Sequence, residues 1–119
     1  MKRQYKYKNF QHHNLASGHW RDFSLIEQLA NIGSEVERSI KWRSKGDNET
    51  SKNAFIRALE LFDLTIGDPK NKNRLKEVCR ARELFCDFFI GTNQYHQIAK
   101  QWCDYFYQFA YLAQNRKNL

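Results

Sequence analysis

The sequence has no long hydrophobic run, a single proline and only five glycines in 119 residues. Its apolar runs are short, and the basic N-terminus is not followed by a hydrophobic segment, so we expect neither a membrane span nor secretion. The three cysteines, Cys79, Cys86 and Cys103, are odd in number and lie in helix-like segments. We interpret them as reduced core residues of a cytoplasmic protein.

Motifs that identify helical metalloproteins are also missing. No Glu-x-x-His occurs, which argues against a ferritin-type di-iron site, and the cysteines and histidines give no zinc spacing. We therefore predict no cofactor and no catalytic residue. Two carboxylate pairs remain, Glu60 with Asp63 and Glu83 with Asp87, and such pairs on adjacent helices could hold Mg²⁺. A solvated face paired with neighbouring lysine and arginine is the simpler interpretation.

Aromatic residues are plentiful, with nine Phe, six Tyr and three Trp. Because rings bury much apolar area, one compact core can be stable without disulfides or metal. Apolar residues recur at steps of three and four in four segments, which is the α-helical period. The clearest members of these stripes are Leu29, Ile32 and Val36, then Phe55, Ala58 and Phe62, then Val78, Phe85 and Phe89, and finally Trp102, Phe106 and Phe109.

Turn-forming residues separate the four segments. The first helix should stop near Gly46, and Gly67 should end the second. Asp68 and Pro69 read as the N-cap and first residue of the third helix, and the fourth should run from about Tyr95. Short connections favour antiparallel neighbours. We predict an all-α fold, an antiparallel up-down four-helix bundle over residues 19–119, preceded by a mobile basic and aromatic tail at residues 1–18.

The net charge of +7 is unevenly distributed, because bases exceed acids in the tail and in the second half of the chain. This asymmetry favours an anionic partner. Lysines near a helix N-terminus also lie beside free backbone N–H groups, an arrangement that suits phosphate. We predict an anion- or nucleic-acid-binding surface made of Lys2, Arg3, Lys6, Lys8, Lys70, Lys72, Arg74 and Lys76.

Two further features concern the third and fourth helices. Arg82 falls within the apolar stripe of the third helix, so we expect a mostly buried guanidinium paired with Asp63 or Glu60. A second set of aromatic residues departs from the apolar faces and could stack on bases or be buried against another subunit. This predicted interface consists of Trp42, Tyr107 and Tyr111.

Three stretches, Ser24–Val36, Arg57–Ile66 and Arg80–Glu83, resemble an uncharacterised family of short prokaryotic helical-bundle proteins. The resemblance covers about residues 22–113 and implies no activity, ligand or catalytic residue. In size, basicity and helix count the chain is similar to the accessory proteins of diversity-generating retroelements, which bind nucleic acid as ring oligomers. It also has the length of the HEPN ribonucleases but lacks their Arg-x(4–6)-His signature.

These observations favour a protein that works by binding. We predict a non-enzymatic binding or assembly bundle that is a homo-oligomer, does not act at membranes and has nucleic acid or another protein as its partner. The sequence leaves two alternatives open. One is a metal-dependent enzyme that uses the acidic pairs on a phosphorylated substrate, and the other is a purely structural oligomer subunit.

Overall fold

The computed structural model of the chain describes the backbone of residues 19–117 and the side chains of residues 19–115. These residues form an all-α four-helix bundle without strands, as predicted. The predicted tail, residues 1–18, lies outside the described residues, and its mobility stays a prediction. The elements are a 3-10 helix His19–Asp22, α1 Leu25–Ser44, α2 Asn48–Ile66, a second 3-10 helix Pro69–Arg74, α3 Leu75–Ile90 and α4 Ala99–Lys117.

Side-chain caps define where the first two helices begin. Ser24 and Glu27 form a capping box at the start of α1, in which each side chain accepts a hydrogen bond from the other's backbone N–H. Gly46 turns the chain at a φ of 84°, a conformation that glycine adopts without strain. Asp47 then caps α2 by accepting a hydrogen bond from the Thr50 N–H at 3.0 Å. The predicted break at Gly46 is therefore confirmed.

The third and fourth helices begin later than predicted. Asp68 does act as an N-cap, but it caps the 3-10 helix, and α3 starts only at Leu75. The tighter 3-10 turn lets the side chain of Asn71 point into the protein. The start of α4 at Ala99, instead of about Tyr95, follows from the left-handed backbone of Asn93 and His96, because residues in that conformation interrupt a helix.

Antiparallel packing brings the four apolar stripes into one core. Phe55 of α2 stacks on Phe89 of α3 with ring centroids 4.5 Å apart. On the other side, α1 and α4 approach so closely that a Cβ added at Gly33 would lie 2.6 Å from the Cβ of Phe106. Glycine is required there by space. The largest side chains that are almost completely buried are Trp20, Phe62, Phe85, Phe106, Leu29 and Ile32.

A buried polar cluster, here called the Gln28 network, closes one end of the bundle. It consists of Trp20, Gln28, Thr65, Asp68 and Asn71, all of them buried. The Gln28 amide donates to the Trp20 carbonyl and the Asp68 carboxylate, each at 2.9 Å, and accepts from Asn71 at 2.8 Å. The Trp20 indole donates to the Thr65 hydroxyl at 3.0 Å. Both 3-10 helices are thereby fixed to α1 and α2.

The seam between α3 and α4 has a different character. These helices meet mainly through large side chains, with Phe85 and Phe88 packing on Trp102 at centroid distances of 5.4 and 6.2 Å. The Tyr105 hydroxyl donates to Glu77 at 3.0 Å, and burial raises the pKa of this tyrosine. Aromatic spacers hold the two backbones apart, so this seam is the place where a pocket can form.

Candidate nucleic-acid interface

Only part of the predicted basic surface can be compared with the structure. Lys2, Arg3, Lys6 and Lys8 lie outside the described residues. Of the other four bases, Lys70 turns back to pair with Asp68 and donates to the Arg21 carbonyl at 3.3 Å. Arg74 pairs with Glu77, and hydrogen bonding from Arg74 lowers the pKa of that carboxyl group. Internal carboxylates therefore already neutralise Lys70 and Arg74.

Lys72 and Lys76 are in the opposite situation. Both are exposed, and neither forms an ion pair with any residue in the described part of the chain. They line a surface groove of about 760 Å³ together with Arg80 and Arg82. We call this surface the α3 groove. Leu75, which is 38% exposed, and the carboxylate of Glu83 also line it, so four bases and one acid surround an apolar side chain.

Arg82 is paired with a carboxylate as predicted, and its side chain is intermediate in burial. Its Nε donates to Asp63 Oδ1 at 2.8 Å, while the two side chains are 33% and 59% exposed. Val78, Ala81 and Phe85 are the buried positions of α3, so Arg82 lies beside the apolar stripe and not within it. Its partner is Asp63; Glu60, the other predicted partner, is buried.

The two predicted carboxylate pairs do not converge on a metal site. Asp63 is paired with Arg82, Glu83 lies 3.5 Å from Arg80, and Asp87 accepts a hydrogen bond from the backbone N–H of Gln94. Within residues 19–115, no three His, Cys, Asp or Glu side chains are grouped so that they could hold a metal ion. The geometry therefore gives no support to the metal-dependent enzyme alternative.

The cysteines are free thiols at the edge of the core. Cys79, Cys86 and Cys103 are each half-buried, so they are less enclosed than predicted. Burial raises the pKa of the Cys86 and Cys103 thiols. A thiol with a raised pKa holds little of the reactive thiolate at neutral pH, so these two are poor candidates for nucleophiles.

The predicted aromatic interface divides into two separate places. Tyr107 and Tyr111 are 64% and 54% exposed on α4 and stack on each other with centroids 6.3 Å apart. Trp42 is half-buried at the end of α1, with the Lys41 and Lys45 ammonium groups 5.6 and 5.3 Å from its ring centroid. Trp42 thus already contacts two cations at the end of α1, Lys41 within the helix and Lys45 directly after it.

Sequence reasoning missed Arg80 as a member of the basic surface. Lys72, Lys76 and Arg80 are spaced by four residues, a regular interval that places side chains on one face of a helix. That spacing was the available signal. The Gln28 network left no comparable signal, because its hydrogen-bonded members lie up to 45 residues apart in the sequence.

None of the helices in residues 19–117 is long and apolar enough to cross a membrane. Comparisons with protein-family models, with curated proteins and with solved structures found no match to this chain.

Proposed function

We propose that this chain is a non-enzymatic helical bundle that binds nucleic acid through the α3 groove. The observation that carries the proposal is the convergence of four positive side chains on one groove, two of which, Lys72 and Lys76, have no ion-pair partner among the described residues. Exposed cations without internal partners can neutralise phosphates and release the counterions bound to the nucleic acid. This release is a main source of affinity for nucleic acid.

The layout of the groove suits an extended backbone. Lys76 and Arg80 are one helical turn apart, which corresponds to a rise of about 6 Å along α3. Lys72 lies in the preceding 3-10 helix and lines the same groove, so three bases follow one another along this side of the bundle. Phosphates of one nucleic acid strand follow each other at about 3.4 Å or more along the axis, and a strand laid along α3 brings several of them to this row.

The end of α1 provides an internal comparison. Lys41 and Lys45 are also exposed, but their ammonium groups lie over the ring of Trp42. Nearby, Arg38 pairs with Glu35 at 2.8 Å and Arg43 donates to the Phe89 carbonyl at 2.9 Å. Most cations there already have a partner within the protein. The proposal therefore favours α3 over the end of α1, although both regions are basic.

A salt titration with matched variants tests the proposal. Binding of a labelled single strand is followed by fluorescence anisotropy between about 50 and 200 mM salt. The variant Lys72→Gln/Lys76→Gln should bind more weakly and flatten the slope of log K against log salt by about 1.4, since each phosphate contact on a single strand contributes about 0.7. Lys45→Gln/Lys52→Gln removes the same charge elsewhere. Equal losses in both variants would contradict a groove site.

A second candidate function is self-association through the outer face of α4. Its support is the exposure of Tyr107 and Tyr111 together with Leu112, which is 41% exposed. Adjacent exposed rings are typical of surfaces that another subunit covers. Sedimentation analysis of Tyr107→Ser/Tyr111→Ser should show a smaller assembly than the unaltered chain. A monomeric unaltered chain would contradict this candidate.

The proposal includes a cytoplasmic location. Cys79, Cys86 and Cys103 are free thiols, and thiols remain reduced in the cytoplasm, where disulfides are rare. Nucleic acid is abundant in the same compartment, so the proposed partner and the proposed location agree.

A further inference from the structure

A second cavity lies in the seam between α3 and α4, beside the α3 groove. Its volume is about 260 Å³, slightly below the roughly 300 Å³ at which pockets for drug-sized ligands begin. Such a volume suits a single planar ring system. Ala81 and Leu84 of α3 and Trp102 and Tyr105 of α4 supply its apolar walls.

The two aromatic walls are held at a fixed mutual angle. Trp102 and Tyr105 lie edge to face, with an interplanar angle of 85° and centroids 6.4 Å apart. The hydrogen bond from the Tyr105 hydroxyl to Glu77 fixes the tyrosine ring. Trp102 is 4% exposed, so a flat ring in the cavity would stack on Tyr105 and meet Trp102 only at its accessible edge.

A polar side chain at this cavity offers a hydrogen-bond donor. The Gln101 carbonyl oxygen accepts from the Ile98 N–H at 2.8 Å, so its amide N–H₂ remains available as a donor. Gln101 and Gln97 both line the cavity. A donor beside apolar walls suits a ring that carries acceptors, as nucleobases do.

Arg80 connects this cavity with the proposed binding surface. It lines both the cavity and the α3 groove, and its guanidinium lies 5.0 Å from the ring centroid of Tyr95. A cation at this position can contact the phosphate of a nucleotide whose base enters the cavity. Phosphate contacts and a base pocket are thus adjacent on one side of α3.

We infer that the cavity accepts one unstacked base of a single-stranded nucleic acid whose backbone lies in the α3 groove. This inference rests on the proposed function and specifies its substrate, because a base within a duplex is not free to leave its stack. Single strands offer such bases at no cost in base pairing. Stacking on the partly exposed ring of Tyr105 supplies affinity that depends on the base and not on charge.

The test compares two short labelled strands of equal length, one with bases and one fully abasic, so that their phosphates are matched. The unaltered chain should bind the strand with bases about tenfold more tightly, as expected for one stacked base. Leu84→Phe, which fills the cavity, should bring this ratio close to one. Leu112→Phe makes the same change on the exposed face of α4 and should leave the ratio unchanged.

The outcomes separate the inference from the proposed function. Equal binding of both strands, still weakened by Lys72→Gln/Lys76→Gln, would overturn the base pocket and leave the groove in place. A base preference that survives in folded Leu84→Phe would place the base elsewhere and also overturn it. If Leu84→Phe does not fold, Gln101→Ala at an exposed position must lower the ratio instead, and an unchanged ratio overturns the inference. No binding of either strand contradicts the proposed function itself.

Discussion

The Gln28 network and the α3 groove are neighbours in sequence and opposites in structure. Asp68 and Asn71 are buried, and their side chains are hydrogen-bonded within the protein. Lys72 and Lys76 follow directly and remain exposed without ion pairs to described residues. Polar groups in the first region stabilise the fold, whereas those in the second are available to a partner. Polarity alone therefore does not distinguish a structural cluster from a binding surface. The distinction is whether the polar groups already have hydrogen-bond or ion-pair partners within the protein.

The largest effect should come from breaking the Gln28 network. Gln28→Ala removes partners from the Asp68 carboxylate, the Asn71 amide and the Trp20 carbonyl at once. We expect the free energy of unfolding to fall by about 2–3 kcal/mol, because buried polar groups are left unsatisfied. Urea denaturation measures this change in the free energy of unfolding. Lys76→Ala, at an exposed position of the α3 groove, should change stability by less than about 0.5 kcal/mol. Similar values for both variants would remove the distinction between the regions.

Gly33→Ala should cause the next largest loss of stability. Alanine gains about 1 kcal/mol of helix propensity, but its Cβ would lie 2.6 Å from the buried Phe106 Cβ. Separating α1 from α4 costs more than this gain, and we expect a net loss of about 1–2 kcal/mol. Ser34→Ala, one residue further and exposed, serves as the control in thermal unfolding and should be nearly neutral. A stabilised Gly33→Ala variant would show that the helices are not in close contact.

Asp68 should make the stability contributed by the Gln28 network depend on pH. Burial opposes its charge, but hydrogen bonds from Lys70 and Gln28 outweigh burial and lower its pKa below the usual 3.8. A lowered folded-state pKa contributes stability above the unfolded pKa, and this contribution is lost as the pH falls through the folded value. The stability difference between the unaltered chain and Asp68→Asn should therefore shrink between about pH 5 and about pH 2. A constant difference would exclude this linkage.

The smallest effect on stability is expected at Arg82. Its ion pair with Asp63 is partly exposed, and pairs of this kind contribute less than about 1 kcal/mol. Arg82→Ala should therefore unfold at nearly the same urea concentration as the unaltered chain while binding a single strand less tightly. A stability loss of several kcal/mol without a change in binding would show that Arg82 stabilises the fold and does not contact the nucleic acid.

Local sequence signals predicted the fold well. The three-and-four spacing of Leu29, Ile32 and Val36 identified the buried face of α1, and Gly46 marked its end. Signals of this kind involve residues that lie within a few helical turns of one another, so they can be recognised directly in the sequence. Asp68 was likewise a correct cap, although the helix it caps is a 3-10 helix.

Features that depend on distant residues were predicted poorly. The pairing of Arg82 with Asp63 was predicted, but the 59% exposure of the Asp63 side chain was not, because it depends on how α2 and α3 pack. The hydrogen bond between Gln28 and Asn71 joins positions 43 residues apart, and no spacing rule predicts it. The cavity beside Trp102 arises from the separation of two helices by aromatic side chains, a property of packing that composition alone does not specify.

Titration of the isotope-labelled protein with a single strand, followed by NMR, tests the account most directly. We predict shift changes at the backbone amides between Lys72 and Leu84 and at the Gln101 side-chain amide, because these groups belong to the α3 groove and the adjoining cavity. The Trp20 indole, buried in the Gln28 network, should not shift. Changes confined to Trp42 or to Tyr107 and Tyr111, with the α3 amides unaffected, would contradict the account.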